Sequence, residues 1–228
     1  MTQPLKLLSS MAAREVLAEL ATAYTRATGQ PVNCEAGGGV EVARRIAAGE
    51  PADVVVLSDT AIDKLIAGGS LAAQRFDLVK SGVAIAVHAE GAQPAVGTED
   101  EVRAAVLAAT SLSYSTGPSG VYLEKLFARW GILELVRPRI VVPPPGIPVG
   151  QLVAEGRAAL GFQQLSELLN VPGIRVLGPL PAEIQTVTTF SGGVGAASSQ
   201  GEAARALLAF MQQPAATEVK KRYGMEPV

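Results

Sequence analysis

The sequence predicts an α/β protein of two lobes, with parallel-rich sheets covered by helices on both faces. Three observations carry this. Apolar strands and amphipathic helices alternate from Leu5 to Tyr223, the order that builds βαβ units. Asp53–Leu57 is almost continuously apolar, as a strand buried on both sides of a parallel sheet is. Two β-rich segments, near residues 82–88 and 186–191, are placed to carry the chain from one lobe to the other and back. The expected division is residues 1–82 plus 190–228 for the first lobe and 83–189 for the second, a length suited to two lobes.

Each element follows from its pattern. Leu5–Leu8 is a short apolar strand. Val16, Leu17, Leu20, Ala21 and Tyr24 form the stripe of a helix over Met11–Thr28, stopped by Gly29. Val32–Glu35 reads as a strand, Val40–Ala48 as a helix, Asp53–Leu57 as a strand and Thr60–Ala67 as a helix ended by Gly68 and Gly69. Gly82–Val87 is the first crossing strand. In the second lobe, helices are expected at Asp100–Ala108, Gly120–Trp130, Pro148–Glu155 and Ser166–Leu169. Strands are expected there at Leu112–Tyr114, Arg139–Val142, Ala159–Gln163 and Ile174–Leu177. Thr186–Phe190 returns to the first lobe, and Glu202–Gln212 and Ala215–Tyr223 close the chain as helices.

Four Gly-, Ser- or Pro-rich turns follow strands and open helices: Leu7–Ser10, Ala36–Gly39, Ser115–Gly120 and Pro143–Pro148. A helix start presents free N–H groups and the positive end of the helix dipole, which suits an anion. In open α/β sheets ligands lie outside the carboxyl ends of the strands. Four such starts, two per half of the chain, predict a cleft between the lobes that holds a small anion.

Composition excludes several alternatives. Net charge is −2 and aromatics are 4% of the chain, so neither a basic footprint nor a base-stacking surface for nucleic acid is present. No helix-turn-helix segment is read, which sets aside a transcription regulator. Cys34 is the one cysteine and His88 the one histidine; no metal site or Ser-His-Asp triad is expected from them, nor any cofactor. Cys34 is expected in the core, and His88 as structural or exposed. Gly37–Gly39 is not followed by Gly-Lys-Ser/Thr, so no nucleotide-binding loop is read. No stretch approaches a membrane span, and no signal peptide precedes Leu5. That start fits a cytoplasmic protein if Met1 is native and a periplasmic one if a signal has been removed.

The residues expected to hold the ligand are Ser9, Ser10, Gly38, Gly39, Ser119, Gly120, Gly146, Gln163 and Gln164. Ser9 and Ser10 compete between capping a helix and binding. Strand alternation turns one of Gln163 and Gln164 toward the cleft without saying which. Arg14, Arg44, Arg45, Arg75 and Lys80 are the cations near the expected site, each of which also suits a solvated surface. If the protein is an enzyme, Glu41 and Lys80 are the candidate bases, although a carboxylate in a first helical turn also suits the dipole. The Tyr122 hydroxyl is a further weak donor.

Ser9-Ser10-Met11, the run from Gly39 through Ala43-Arg44-Arg45-Ile46 to Gly49-Glu50-Pro51-Ala52-Asp53-Val54, Gly178–Pro181 and Lys221–Gly224 resemble the periplasmic molybdate-binding family of type 2 solute-binding proteins. The resemblance covers nearly the whole chain. It implies the two-lobe binding-protein fold and a tetrahedral oxyanion held, without metal, by hydroxyls and backbone N–H groups. It places the first-loop serine on Ser10 and the second-loop serine on Gly39. The small residue opening the second-lobe helix falls on Ser119, a backbone contact near Gly146, and the late tyrosine on Gln164. Hydroxyls are thus missing at Gly39 and Gln164, which implies weak or absent molybdate binding. Some members of the broader family resemble aconitate isomerase, which moves a double bond and a proton in a tricarboxylate.

Three functions follow as expectations. One is a binding protein for a small anion, a di- or tricarboxylate before a tetrahedral oxyanion, with an ABC permease as possible partner. Another is an isomerase acting on a small polycarboxylate. The last is the molybdate- or tungstate-binding component of an uptake system.

Overall fold

The structure is a computed structural model that describes residues 3–144 and 146–228; Met1, Thr2 and Pro145 lie outside the described residues. The chain divides into two units. One runs to Ser81 and resumes at Thr188; the other is Gly82–Val187.

The first unit holds β1 (Leu5–Ser10), α1 (Arg14–Thr28), β2 (Val32–Gly37), α2 (Gly39–Ala47), β3 (Val54–Ser58) and α3 (Asp59–Ala67). It also holds the first part of β4 (Leu71–His88), and a 3-10 turn at Met11–Ala13 precedes α1. In the second unit come the rest of β4, α4 (Glu99–Ala108), β5 (Leu112–Tyr114), α5 (Pro118–Arg129) and α6 (Leu133–Val136). They are followed by α7 (Val149–Ala154), β6 (Leu160–Gln164), α8 (Leu165–Leu168) and β7 (Ile174–Pro179). β8 (Val187–Gly195) leads back to the first unit, which ends with α9 (Gly201–Gln212), α10 (Thr217–Arg222) and β9 (Glu226–Pro227).

Strand order in the first unit is β2-β1-β3-β8-β4. β1 pairs in parallel with β2 and β3, while β3 and β8 are antiparallel. In the second unit β5 and β6 are parallel, and β6 and β7 each pair antiparallel with β4. Parallel pairs thus join β2, β1 and β3 in the first unit and β5 and β6 in the second. The long strands β4 and β8, each shared by the two units, add antiparallel pairs because they carry the chain outward and back.

Each unit has its own core. In the first, Leu5, Leu7, Val54 and Val56 meet the α1 stripe Val16, Leu17, Leu20 and Tyr24, and Leu207, Leu208 and Met211 of α9. In the second, Val83, Ile85, Leu112 and Phe162 pack on Leu123, Leu126 and Phe127 of α5 and on Val102 and Val106 of α4. Caps fit the sequence: Gly29 adopts φ 76° after α1, and Thr98 with Glu101 forms a capping box on α4.

Two local expectations are corrected. Arg139–Val142 is not a strand; Arg137–Arg139 is a 3-10 turn, and only an isolated bridge joins Ile140 to Leu112. Pro138, Pro143 and Pro144 cannot donate to a ladder. Cys34 is exposed, not buried, because β2 is the edge strand of its sheet and turns Asn33, Cys34 and Glu35 outward.

Candidate functional site

In the first unit the carboxyl ends of β1 and β2 meet, with Ser10 opposite Gly37 in register. α2 starts two residues later, at Gly39, with Gly38 as its N-cap and no side chain capping the first turn. The N–H groups of that turn face out from the edge where β1 also ends. None of Gly37, Gly38 and Gly39 has positive φ. A Cβ built on Gly39 would lie 3.6 Å from Ser10 Cβ, an ordinary contact. The glycines are therefore not demanded by the backbone; what they do is leave the space beside Ser10 open.

Ser10 is 6% exposed and its hydroxyl has no hydrogen-bond partner. It precedes the 3-10 turn at Met11 without capping it. A buried hydroxyl left unmade costs roughly 1–3 kcal/mol. An unspent donor beside an uncapped helix start is what a small anion would complete. Ser9, one residue earlier, is buried within β1, paired with Ala36 and Val56.

The second unit has its own set of donors. At the start of α5, Pro118 has no N–H, and the N–H groups of Gly120 and Val121 return to the Gly117 carbonyl. That leaves the Ser119 N–H as the open donor of this turn. Ser119 Oγ lies 2.9 Å from Ser115 Oγ, a hydroxyl pair that the sequence suggested only as part of a turn. Gly120 has a packing role: a Cβ there would come within 1.7 Å of the Ser115 carbonyl oxygen. Beside this turn the Tyr114 hydroxyl donates to Glu124, and burial together with the Glu124 charge pushes its pKa up to about 12.

Gln163 is committed within its unit. Its Oε1 accepts from the Gly150 N–H at 3.1 Å and its Nε2 donates to Glu167 at 2.7 Å. The first turn of the short helix α7 is thus served by a side chain. Gly146 precedes it with φ 79°, and among the described residues no strand runs into Pro143. Gln164 is buried opposite Val83 of β4 and, one residue on from Gln163, faces the other side of the sheet.

Most of the candidate cations are paired. Arg14 meets Glu15, Arg44 meets Glu41, Arg45 meets Glu35 and Glu50, and Arg75 meets Asp63 and Asp77. The Arg44 guanidinium hydrogen-bonds Glu41 and holds its carboxyl below the usual range, so Glu41 is an ion-paired surface group and a poor base. Tyr122 donates its hydroxyl to the Ile184 carbonyl at 2.9 Å. Lys80, half-buried on β4, has no ion pair among the described residues. Beside it stands a residue that the sequence pattern did not single out: Ser81 is 2% exposed, and its hydroxyl, like that of Ser10, has no partner. Its signal was the Lys80-Ser81-Gly82 break between the apolar pairs Leu78-Val79 and Val83-Ala84.

Two surface hollows lie elsewhere. One, of about 600 Å³, is lined by Ser198–Glu202 and Arg205; the other, of about 630 Å³, by Gln93–Gly97 and Leu177–Ala182. Neither contains an unpartnered buried polar group, so the candidate site is defined by its donors.

A profile of the bacterial extracellular solute-binding proteins matches residues 5–226. An aconitate isomerase from Pseudomonas sp is 38% identical over 233 residues, covering 98% of this chain and 88% of that protein. Among solved structures, the Azotobacter vinelandii periplasmic molybdate-binding protein superposes with a TM-score of 0.79 at 21% identity, covering 97% of this chain and 98% of that one. A tungstate-binding protein from Desulfovibrio alaskensis G20 does so with a TM-score of 0.66 at 14% identity, covering 95% and 93%. The structural likenesses establish the fold. No helix among the described residues is long and apolar enough to cross a membrane.

Proposed function

The chain belongs to the bacterial extracellular solute-binding protein family, and on that premise we propose that it binds a small polycarboxylate of the aconitate type at the Ser10–Gly39 edge of its first unit. The observation that carries this reading is the unpartnered Ser10 hydroxyl beside the uncapped start of α2. A carboxylate oxygen accepts from Ser10, and the N–H groups of the first α2 turn take its partner oxygen. Such charge-assisted bonds are the stronger kind. Gly39 supports a planar group over a tetrahedral one, because the second serine that the resemblance calls for is absent there. The full-length likeness to a protein named aconitate isomerase supports the same ligand class. Lys80 is the proposed counter-charge, since the arginines named above already have carboxylate partners.

That likeness also favours a second reading, catalysis on the bound ligand. Moving the double bond of an aconitate requires a base to take a proton from the methylene carbon next to the alkene. The electron pair spreads over the allylic carbons and a carboxylate, and the proton returns at the far carbon; composition and oxidation state are unchanged. The ion pair of Glu41 with Arg44 leaves Lys80 as the candidate proton carrier. Proton NMR of cis- and trans-aconitate in D₂O with the protein separates the readings. Exchange that is lost in Lys80→Met supports the isomerase, binding without exchange supports a receptor, and no interaction with either aconitate contradicts both.

A further inference from the structure

We propose that the free edge of β2 pairs with the same edge of a second copy of this chain, antiparallel about Cys34, so that one sheet runs through both first units. Three observations carry it. First, the edge is open. β2 ends the strand order, and among the described residues it pairs with β1 alone. The Leu5 N–H donates to the Pro31 carbonyl at 2.9 Å. Alternation from there turns the backbone groups of Asn33 and Glu35 toward β1 and those of Val32, Cys34 and Ala36 outward. Second, the edge is uncovered on both faces. Asn33, Cys34 and Glu35 are all exposed. Cys34 is level with Leu7 and shares its face, the one on which α1 packs, so its exposure means that α1 stops short of the edge. Third, the edge lacks the devices that keep edge strands apart. Its register with β1 runs unbroken from Val32 to Gly37. No lysine or proline lies within it, and its one charge, Glu35, is held by Arg45.

The pattern of outward groups names the occupant. In an antiparallel pair about Cys34, Val32 stands opposite Ala36 of the second copy and Asn33 opposite its Glu35. Each outward N–H then meets an outward carbonyl, and amides face carboxylates with no like charges opposed. Pairing about Glu35 sets two carboxylates opposite each other. Pairing about Asn33 runs Ala36 past the start of the other β2, against Gln30. The edge is thus its own complement in the register about Cys34. Stable interfaces bury about 1,200–2,000 Å², more than the edge of one short strand supplies, so the dimer forms and parts with concentration.

The test is sedimentation of the full chain over a concentration series, with amide hydrogen exchange at low and high concentration and thermal unfolding of each variant. We expect wild type and Cys34→Ser to dimerise alike. Cys34→Lys sets two ammonium groups on Cα atoms about 5.5 Å apart, and should dimerise about ten-fold more weakly or less still, with the melting temperature of the dilute protein unchanged. Exchange of the Val32, Cys34 and Ala36 amides should slow as the wild-type concentration rises. A wild type that stays monomeric throughout the series overturns the inference. So does a dimer that Cys34→Lys leaves intact, or one in which those amides exchange as fast as in the monomer. If Cys34→Lys does not fold, the exchange of the wild-type amides decides alone.

Discussion

At position 39 the missing side chain is a choice of chemistry and not of backbone. A serine there has ordinary room beside Ser10 and needs no left-handed conformation. Gly39→Ser should therefore fold as wild type and add a hydroxyl to the first turn of α2. The expected outcome is a shift of about ten-fold or more in the ratio of molybdate to trans-aconitate affinity, toward molybdate, read by calorimetry. The size is that of one hydrogen bond to a charged group, about 1.5–3 kcal/mol. Lys220 makes a second prediction at this scale. It is 2% exposed on α10, and burial holds its pKa below the ordinary lysine value. Between the folded and the ordinary value the unfolded chain binds the extra proton, so stability rises with pH across that window. Lys220→Met should flatten this alkaline rise and raise stability near neutral pH, as followed by denaturant unfolding across a pH series. Single residues were unevenly legible in the sequence. Ser10 and Gly39 were readable because they sit where strands meet helices. Cys34 was misread because an apolar neighbourhood does not reveal that β2 is an edge strand. Gly120 was readable as part of a helix-opening turn, but its close approach to the Ser115 carbonyl was not.

Among the elements, the crossing segments show the most local engineering. Gln185 ties them together inside the second unit. Its Oε1 accepts from the Val83 and Thr186 N–H groups, each at 2.9 Å, and its Nε2 donates to the Val83 and Leu180 carbonyls at 3.1 and 3.2 Å. Every hydrogen-bonding site of the amide is used. A Cβ on Gly82 would come within 3.1 Å of that amide, so the glycine makes room for it. At roughly 1 kcal/mol for each bond, Gln185→Ala should destabilise by about 2–4 kcal/mol and lower the melting temperature by several degrees; a change within error would show the clamp to be idle. None of this was legible in the sequence, because Gln185 and Val83 are distant in the chain and an amide carries no periodic signal. The helices and central strands were legible to within a few residues. The first half of β4 was not, since Ala72-Ala73-Gln74-Arg75 breaks both the period-2 and the apolar pattern. Arg139–Val142 misled in the opposite sense: its Ile140-Val141-Val142 run looks like a strand, and the flanking prolines deny it a ladder.

For the whole molecule, the two crossings mean that the first unit is assembled from both ends of the chain. Leu5, Val16 and Leu20 share a core with Phe190, Leu207, Met211 and Met225. This unit cannot close until the last elements are made, and its ligand edge therefore depends on the entire chain. The family and the fold were legible because they rest on strand-helix order and on motifs spread along the sequence. The ligand was not, since it turns on which hydroxyls are unspent, a property of packing. The central claim, that the chain takes a polycarboxylate through Ser10, is tested most directly by calorimetric titration of wild type and Ser10→Ala with trans-aconitate, citrate, sulfate and molybdate. The account predicts that wild type binds the tricarboxylates more tightly than either tetrahedral anion, and that Ser10→Ala weakens this by ten-fold or more with no loss of melting temperature. Tighter binding of molybdate or sulfate than of any tricarboxylate, or an unchanged tricarboxylate affinity in Ser10→Ala, would contradict it.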